Sequence, residues 1–178
     1  AKPTATAAPQ LVSSGECSTM THGGQYAGPS NKLGFSAMAL YGNGDYCSTS
    51  YTFTGTNKKY RMVVKGASDN SSPAGISVYI GGKKVGAVSF TGTSHSEQSF
   101  DFKMKDVTGE QEIKFVLETD NGSNDTYVHS YELYYIGDIP ETPTAKPTVA
   151  PTAKPTAAST AKPTATAAPQ LVSSGECS

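Results

Sequence analysis

The chain has no tryptophan, only three cysteines among 178 residues, and a formal net charge of −1. A near-neutral balance without a basic stripe excludes a nucleic-acid partner, because binding to a phosphate backbone needs clustered Lys and Arg. No apolar run is long enough to cross a bilayer, so no membrane partner is expected. Sustained 3.6-residue periodicity is also missing, which excludes a helical bundle. There is no Gly-x-Ser-x-Gly elbow, no Cys/His pairing and no phosphate loop, so a non-catalytic role is expected. The aromatic surface comes instead from 10 Tyr and 6 Phe.

Residues 1–18, AKPTATAAPQLVSSGECS, return unchanged at 161–178, and AKPT opens at Ala1, Ala145, Ala153 and Ala161. Exact recurrence of that length marks a tandem array of linkers and modules. Segments built from Ala, Pro, Thr and Lys bury too little apolar area to offset the entropy of ordering. Proline at this density favours an extended polyproline form, roughly 3.1 Å per residue, so such a linker spans up to about 90 Å. The organisation expected is a linker at 1–10, a module at 11–139, a second linker at 140–169 and the start of the next copy at 170–178. Secretion to the extracellular space follows from that architecture as an expectation.

Cys17 and Cys177 are the same position in successive copies, leaving Cys17 and Cys47 per unit. An even count in an extracellular setting predicts a Cys17–Cys47 disulfide, worth about 3 kcal/mol in the chain-entropy picture. Two unpaired buried thiols are the alternative.

Inside the module the period is two. Tyr60, Met62 and Val64 alternate with Arg61, Val63 and Lys65; Ile76, Val78 and Ile80 alternate with Ser77 and Tyr79. Phe100, Phe102 and Met104 follow the same rule, as do Ile113, Phe115 and Leu117. Such segments are strands with one face in a core and one in water. Gly81-Gly82 supplies the positive-φ pair of a hairpin turn. Many short strands of this kind predict an all-β fold, a β-sandwich of jelly-roll type.

The segment Glu118-Thr-Asp120-Asn-Gly-Ser-Asn124-Asp125-Thr-Tyr127 lies between two strands and gathers oxygen donors around a glycine. Hard cations such as Ca²⁺ want oxygen ligands, carboxylates and carbonyls together. It is not an EF-hand, since the position that needs Glu there holds Tyr131. A solvated Asx-rich turn is the alternative reading. Asp120 and Asp125 on one loop suit one ion better than the two faces of a sugar ring that glycoside hydrolysis requires.

Four motifs, Gly23-Gly-Gln-Tyr26-Ala-Gly28, Ala39-Leu-Tyr41-Gly-Asn-Gly-Asp45-Tyr46, Gly109-Glu-Gln-Glu-Ile113-Lys114 and Thr119-Asp120-x-Gly122-x-x-Asp125-x-Tyr127-Val128, closely resemble the family 36 carbohydrate-binding modules. The resemblance covers roughly residues 16–136. It implies a β-jelly roll appended to xylanases and related plant-wall hydrolases, with a rim Ca²⁺ that touches xylan directly. By the same resemblance, Asp120, Asp125 and the backbone carbonyl of Asn124 hold the ion, O2 and O3 of a xylose complete its shell, and Tyr26 and Tyr41 flank the sugar. Without the resemblance, both tyrosines read equally well as caps on the edge of the core.

Two positions depart from the family pattern. Asn124 stands where the family has a Trp, so a stacking surface worth about 1 kcal/mol is lost while the carbonyl remains. At the family's second, structural calcium site this chain has Glu16, Ser18 and His129, one carboxylate in place of three, and a Cys17–Cys47 clamp is expected to replace that ion. The function expected is a non-catalytic xylan-binding module that holds a linked glycoside hydrolase on its substrate. The alternative is a structural or adhesive extracellular repeat with a purely stabilising calcium.

Overall fold

In the computed structural model, residues 8–69, 74–120 and 125–140 are described. All of them belong to one unit, Ala1–Glu141. Most of both expected linkers, the repeat at 161–178 with Cys177, and Asn124 lie outside the described residues.

The strands are β1 (Gln10–Glu16), β2 (Thr21–Gly23), β3 (Gly28–Ser30), β4 (Ala37–Leu40), β5 (Tyr46–Phe53), β6 (Lys58–Ser68), β7 (Ala74–Ile80), β8 (Lys83–Phe90), β9 (Ser96–Met104), β10 (Gly109–Thr119) and β11 (Thr126–Asp138). Among the described residues the one helical element is a 3-10 turn at Cys17–Thr19. The strands form two antiparallel sheets. One runs β3-β4-β11-β6-β9, with β1 also paired to β11; the other runs β2-β5-β10-β7-β8. This is the all-β sandwich that the alternation predicts.

The alternation works as it should. Met62, Val64 and Leu133 from one sheet face Ile76, Val78, Ile113, Phe115 and Leu117 from the other, all fully buried in one cluster. Each such side chain contributes roughly 1.5–3 kcal/mol by leaving water. The β7–β8 hairpin turns on Gly81 and Gly82 at φ 56° and 77°, the left-handed pair that a two-residue loop demands.

β11 organises the first sheet. Its first residues, Thr126 to Val128, pair with Leu40 to Met38 of β4, whereas Ser130 to Tyr135 pair with Glu16 to Gln10 of β1. The change of partner falls where the β11–β6 register slips, between Val128 and Ser130. An extra residue there bends the strand and re-aims the side chains beyond it.

One expectation needs revision. Cys17 and Cys47 are not bonded: both are free, fully buried thiols in the same core cluster. A hydrogen bond with Cys47 and then burial push the Cys17 thiol well above its ordinary pKa, so little of it is the thiolate that disulfide exchange needs. Tyr131 is buried with its hydroxyl 2.7 Å from Ser13 Oγ, while Tyr134 and Tyr135 bond to Glu132 and Asp138. The histidines are less scattered than their sequence positions suggest, since His95 and His129 stack with ring centroids 4.6 Å apart.

Candidate functional site

Four loops meet at one end of the sandwich. Asp120 directly follows β10 of one sheet and Asp125 directly precedes β11 of the other, so both carboxylates flank the connection that crosses between the sheets. The β4–β5 loop lies against the end of β10. Gly44 N donates to Leu117 O at 2.8 Å, Leu117 N donates to Asp45 O at 2.9 Å, and Asp120 N donates to Asn43 Oδ1 at 2.7 Å. The loop bearing Tyr41 is therefore tied to the loop bearing Asp120.

Asp45 is the centre of this arrangement. Its carboxylate is fully buried and accepts four backbone N–H groups: Gln25 and Tyr26 on Oδ1 (2.8 and 3.1 Å), Tyr41 and Gly42 on Oδ2 (both 3.0 Å). A buried charge is tolerated only when its lone pairs are satisfied, and here the backbone supplies every donor. Gly24, at φ 109°, must be glycine, because a Cβ there would collide with Asp45 Oδ1 and Cα.

The two sugar-flanking tyrosines predicted from the motifs differ in exposure. Tyr26 is 58% exposed, one of only two large apolar side chains so exposed among the described residues. It lies over Gly42, where a Cβ would sit 3.4 Å from its Cδ2. Tyr41 is partly buried and meets Tyr127 edge-on at 6.2 Å. Tyr127 itself is core and packs with Ala37 and Ala39 beneath the rim.

Two participants were not foreseen. Asp69, at the end of β6, accepts a hydrogen bond from Tyr127 Oη at 3.0 Å. Lys32, from the β3–β4 loop, places its Nζ 2.6 Å from Asp69 Oδ2 and 3.9 Å from Asp125 Oδ2. Asp125 carries the strain of this crowding. Burial and the Asp69 carboxylate push its carboxyl above the ordinary range, Lys32 opposes them, and Asp120 adds a further upward push. Its carbonyl is anchored by Ser68 Oγ at 2.8 Å.

The donor chemistry suits a hard cation: oxygen only, with neighbouring carboxylates close enough to add to the upward push on Asp125. Among the described residues no three His, Cys, Asp or Glu side chains converge on one metal position. A set of Asp120, Asp125 and one backbone carbonyl is consistent with that, and Asn124 is outside the described residues. At the other expected ion position, His129 Nδ1 lies 2.7 Å from Ser36 O and 3.5 Å from Glu16 Oε2, a histidine–carboxylate contact where the resemblance has three acids. A cavity of about 530 Å³ lined by Ser14, Glu16, Met20, Ser48 and Glu112 among others includes none of Tyr26, Tyr41, Asp120 or Asp125.

No profile of a known protein family matches the chain. Among curated proteins it is 39% identical over 117 residues to an arabinoxylan arabinofuranohydrolase of Paenibacillus polymyxa. It is 32% identical over 114 residues to a bifunctional xylanase/deacetylase of Pseudobutyrivibrio xylanivorans. These matches take in 66% and 64% of the chain but only 18% of each relative, so the chain spans a small part of both enzymes. Among solved structures it is similar to a family 36 carbohydrate-binding module in complex with calcium and xylotriose, at 37% identity and TM-score 0.62, covering 68% of this chain and 99% of that one. It is also similar to a family 36 domain of a multidomain xylanase from the hindgut metagenome of Trinervitermes trinervoides, at 31% identity and TM-score 0.61, covering 68% and 94%. With near-complete coverage of both solved domains, the chain belongs to the family 36 carbohydrate-binding modules.

Proposed function

We propose that this module binds xylan at the rim formed by Asp120, Asp125, Tyr26 and Tyr41, in a calcium-dependent manner, and so holds a linked plant-wall hydrolase on its substrate outside the cell. The observation that carries this reading is the tie between the tyrosine loops and the start of the acidic loop, through Asp45 and through Asn43 to Asp120. Support also comes from the solved relative whose ligands are calcium and xylotriose, and from curated relatives that are hydrolases of xylan-type polymers.

Asp120, Asp125 and the Asn124 carbonyl would hold the calcium, which when bound would supply a Lewis-acid contact for vicinal hydroxyls of a xylose. The protein does the rest. Tyr26, standing in solvent at the rim, offers its ring to the C–H face of a sugar, while Tyr41 is fixed by its contact with Tyr127. Asp45 and Gly24 fix the backbone that carries the two tyrosines before the ligand arrives, so little backbone ordering entropy is lost on binding. The module is non-catalytic in this reading, because both rim aspartates belong to one loop, which suits one ion better than the two faces of a sugar ring. Tandem copies raise avidity, since a linked second site sees roughly millimolar effective concentration.

Affinity electrophoresis through gels containing soluble xylan tests this. Retardation with calcium that disappears with a chelator supports it. A calcium-dependent rise in melting temperature with no retardation on xylan, galactan or cellulose would instead favour a structural repeat with a stabilising ion.

A further inference from the structure

We propose that Lys32 is a built-in counter-cation that competes with the divalent ion for Asp125, and that Asp69 is the tether that limits this competition. The inference rests on the calcium reading above and concerns residues that reading does not use.

The geometry is specific. Lys32 Nζ is held at 2.6 Å by Asp69 and stands 3.9 Å from Asp125, with the Tyr127 ring centroid 5.9 Å away. Asp69 in turn is fixed by the hydroxyl of the buried Tyr127. The backbone of the β3–β4 loop is set too: Lys32 N donates to Ser30 Oγ at 3.2 Å and Gly34 N to Asn31 O at 3.0 Å. A single positive charge thus partly neutralises Asp125. Asp69 and Asp125 share the one ammonium of Lys32, which leaves a surplus of negative charge that a divalent ion is suited to balance. When such an ion reaches Asp125, it and the ammonium are like charges a few ångströms apart. The ammonium must then rest on Asp69 alone, and ion binding is weakened by the cost of that separation. Monovalent ions gain too little at Asp125 to overcome the resident lysine.

Calorimetric titration of CaCl₂ into the full chain tests this with the wild type, Lys32→Met and Lys58→Met. Methionine keeps a long apolar stem beside Tyr127, and Lys32 is 55% exposed, so the fold is retained. Lys58, paired with Asp138, controls for net charge alone. Lys32→Met is expected to bind calcium about tenfold more tightly, and Lys58→Met within about twofold of wild type. Asp69→Asn should weaken binding several-fold, and by less when Lys32 is already Met. Wild-type binding that Lys32→Met leaves unchanged or weakens overturns the proposal while the calcium reading stands. An Asp69→Asn loss of equal size in both backgrounds overturns the tether. Absence of calcium uptake by both wild type and Lys32→Met overturns the calcium reading itself, and this inference with it.

Discussion

Tyr26 and Tyr41 hang from opposite oxygens of one buried carboxylate: the backbone N–H of Tyr26 donates to Asp45 Oδ1 at 3.1 Å and that of Tyr41 to Oδ2 at 3.0 Å. The two backbone segments that carry these rings are therefore held together by Asp45. Replacing Asp45 by Ala leaves four N–H groups without their acceptor in a buried site, at a cost of about 3 kcal/mol. Chemical denaturation should read that loss, and xylan retention should fall even below the unfolding transition. A variant of wild-type stability and wild-type retention would contradict the role given to Asp45.

Tyr26 makes the opposite prediction. Its ring is largely in water, so Tyr26→Ala should leave the unfolding midpoint nearly unchanged. Glycan affinity should drop about tenfold, the scale of a lost aromatic contact. A glycan panel run beside a thermal melt separates the two effects.

Much of this fold was legible in the sequence because burial and the two-residue period coincide. Met62, Val64, Ile76, Val78, Ile113, Phe115 and Leu117 all point inward as the alternation predicts. Asp120 and Asp125 were legible because one loop carries both. Asp69 and Lys32 were not, since they reach Asp125 from the end of β6 and from the β3–β4 loop. Their meeting depends on sheet order, with β11 between β4 and β6, and no local pattern encodes that. Asp45 was quoted in a motif, yet its work is done through the backbone of distant residues, which side-chain chemistry does not advertise. The cysteine count misled: evenness allows a disulfide without requiring one, and here both thiols fill core volume.

That last point is measurable. With both thiols buried and the Cys17 thiol poorly ionised, a thiol reagent should label neither in the folded module and both after denaturation. Protein purified without reductant should give the same count. Finding no reactive Cys17 or Cys47 thiol in denatured, unreduced protein would contradict the free pair.

Acid stability should report on Glu118. Lys84, Ser77 and Tyr79 hydrogen-bond its carboxylate and hold its pKa at about 2, below the ordinary 4.5. A folded-state pKa below the unfolded one means the contribution is complete above about pH 4.5 and is lost as pH falls toward 2. The side chain is partly exposed, so the effect is screened and modest. Glu118→Gln should flatten the stability profile in that window and leave the slope above pH 5 unaltered. An unchanged acid limb would show that this cluster adds nothing to the fold.

The sharpest test of the whole account is a titration of xylotriose into the module, once with saturating calcium and once with chelator, in wild type and in Asp125→Asn. Binding is predicted in wild type with calcium alone, with the melting transition still cooperative under chelator. Equal binding with and without the metal, or undiminished binding by Asp125→Asn, would contradict a sugar held through an ion at this rim.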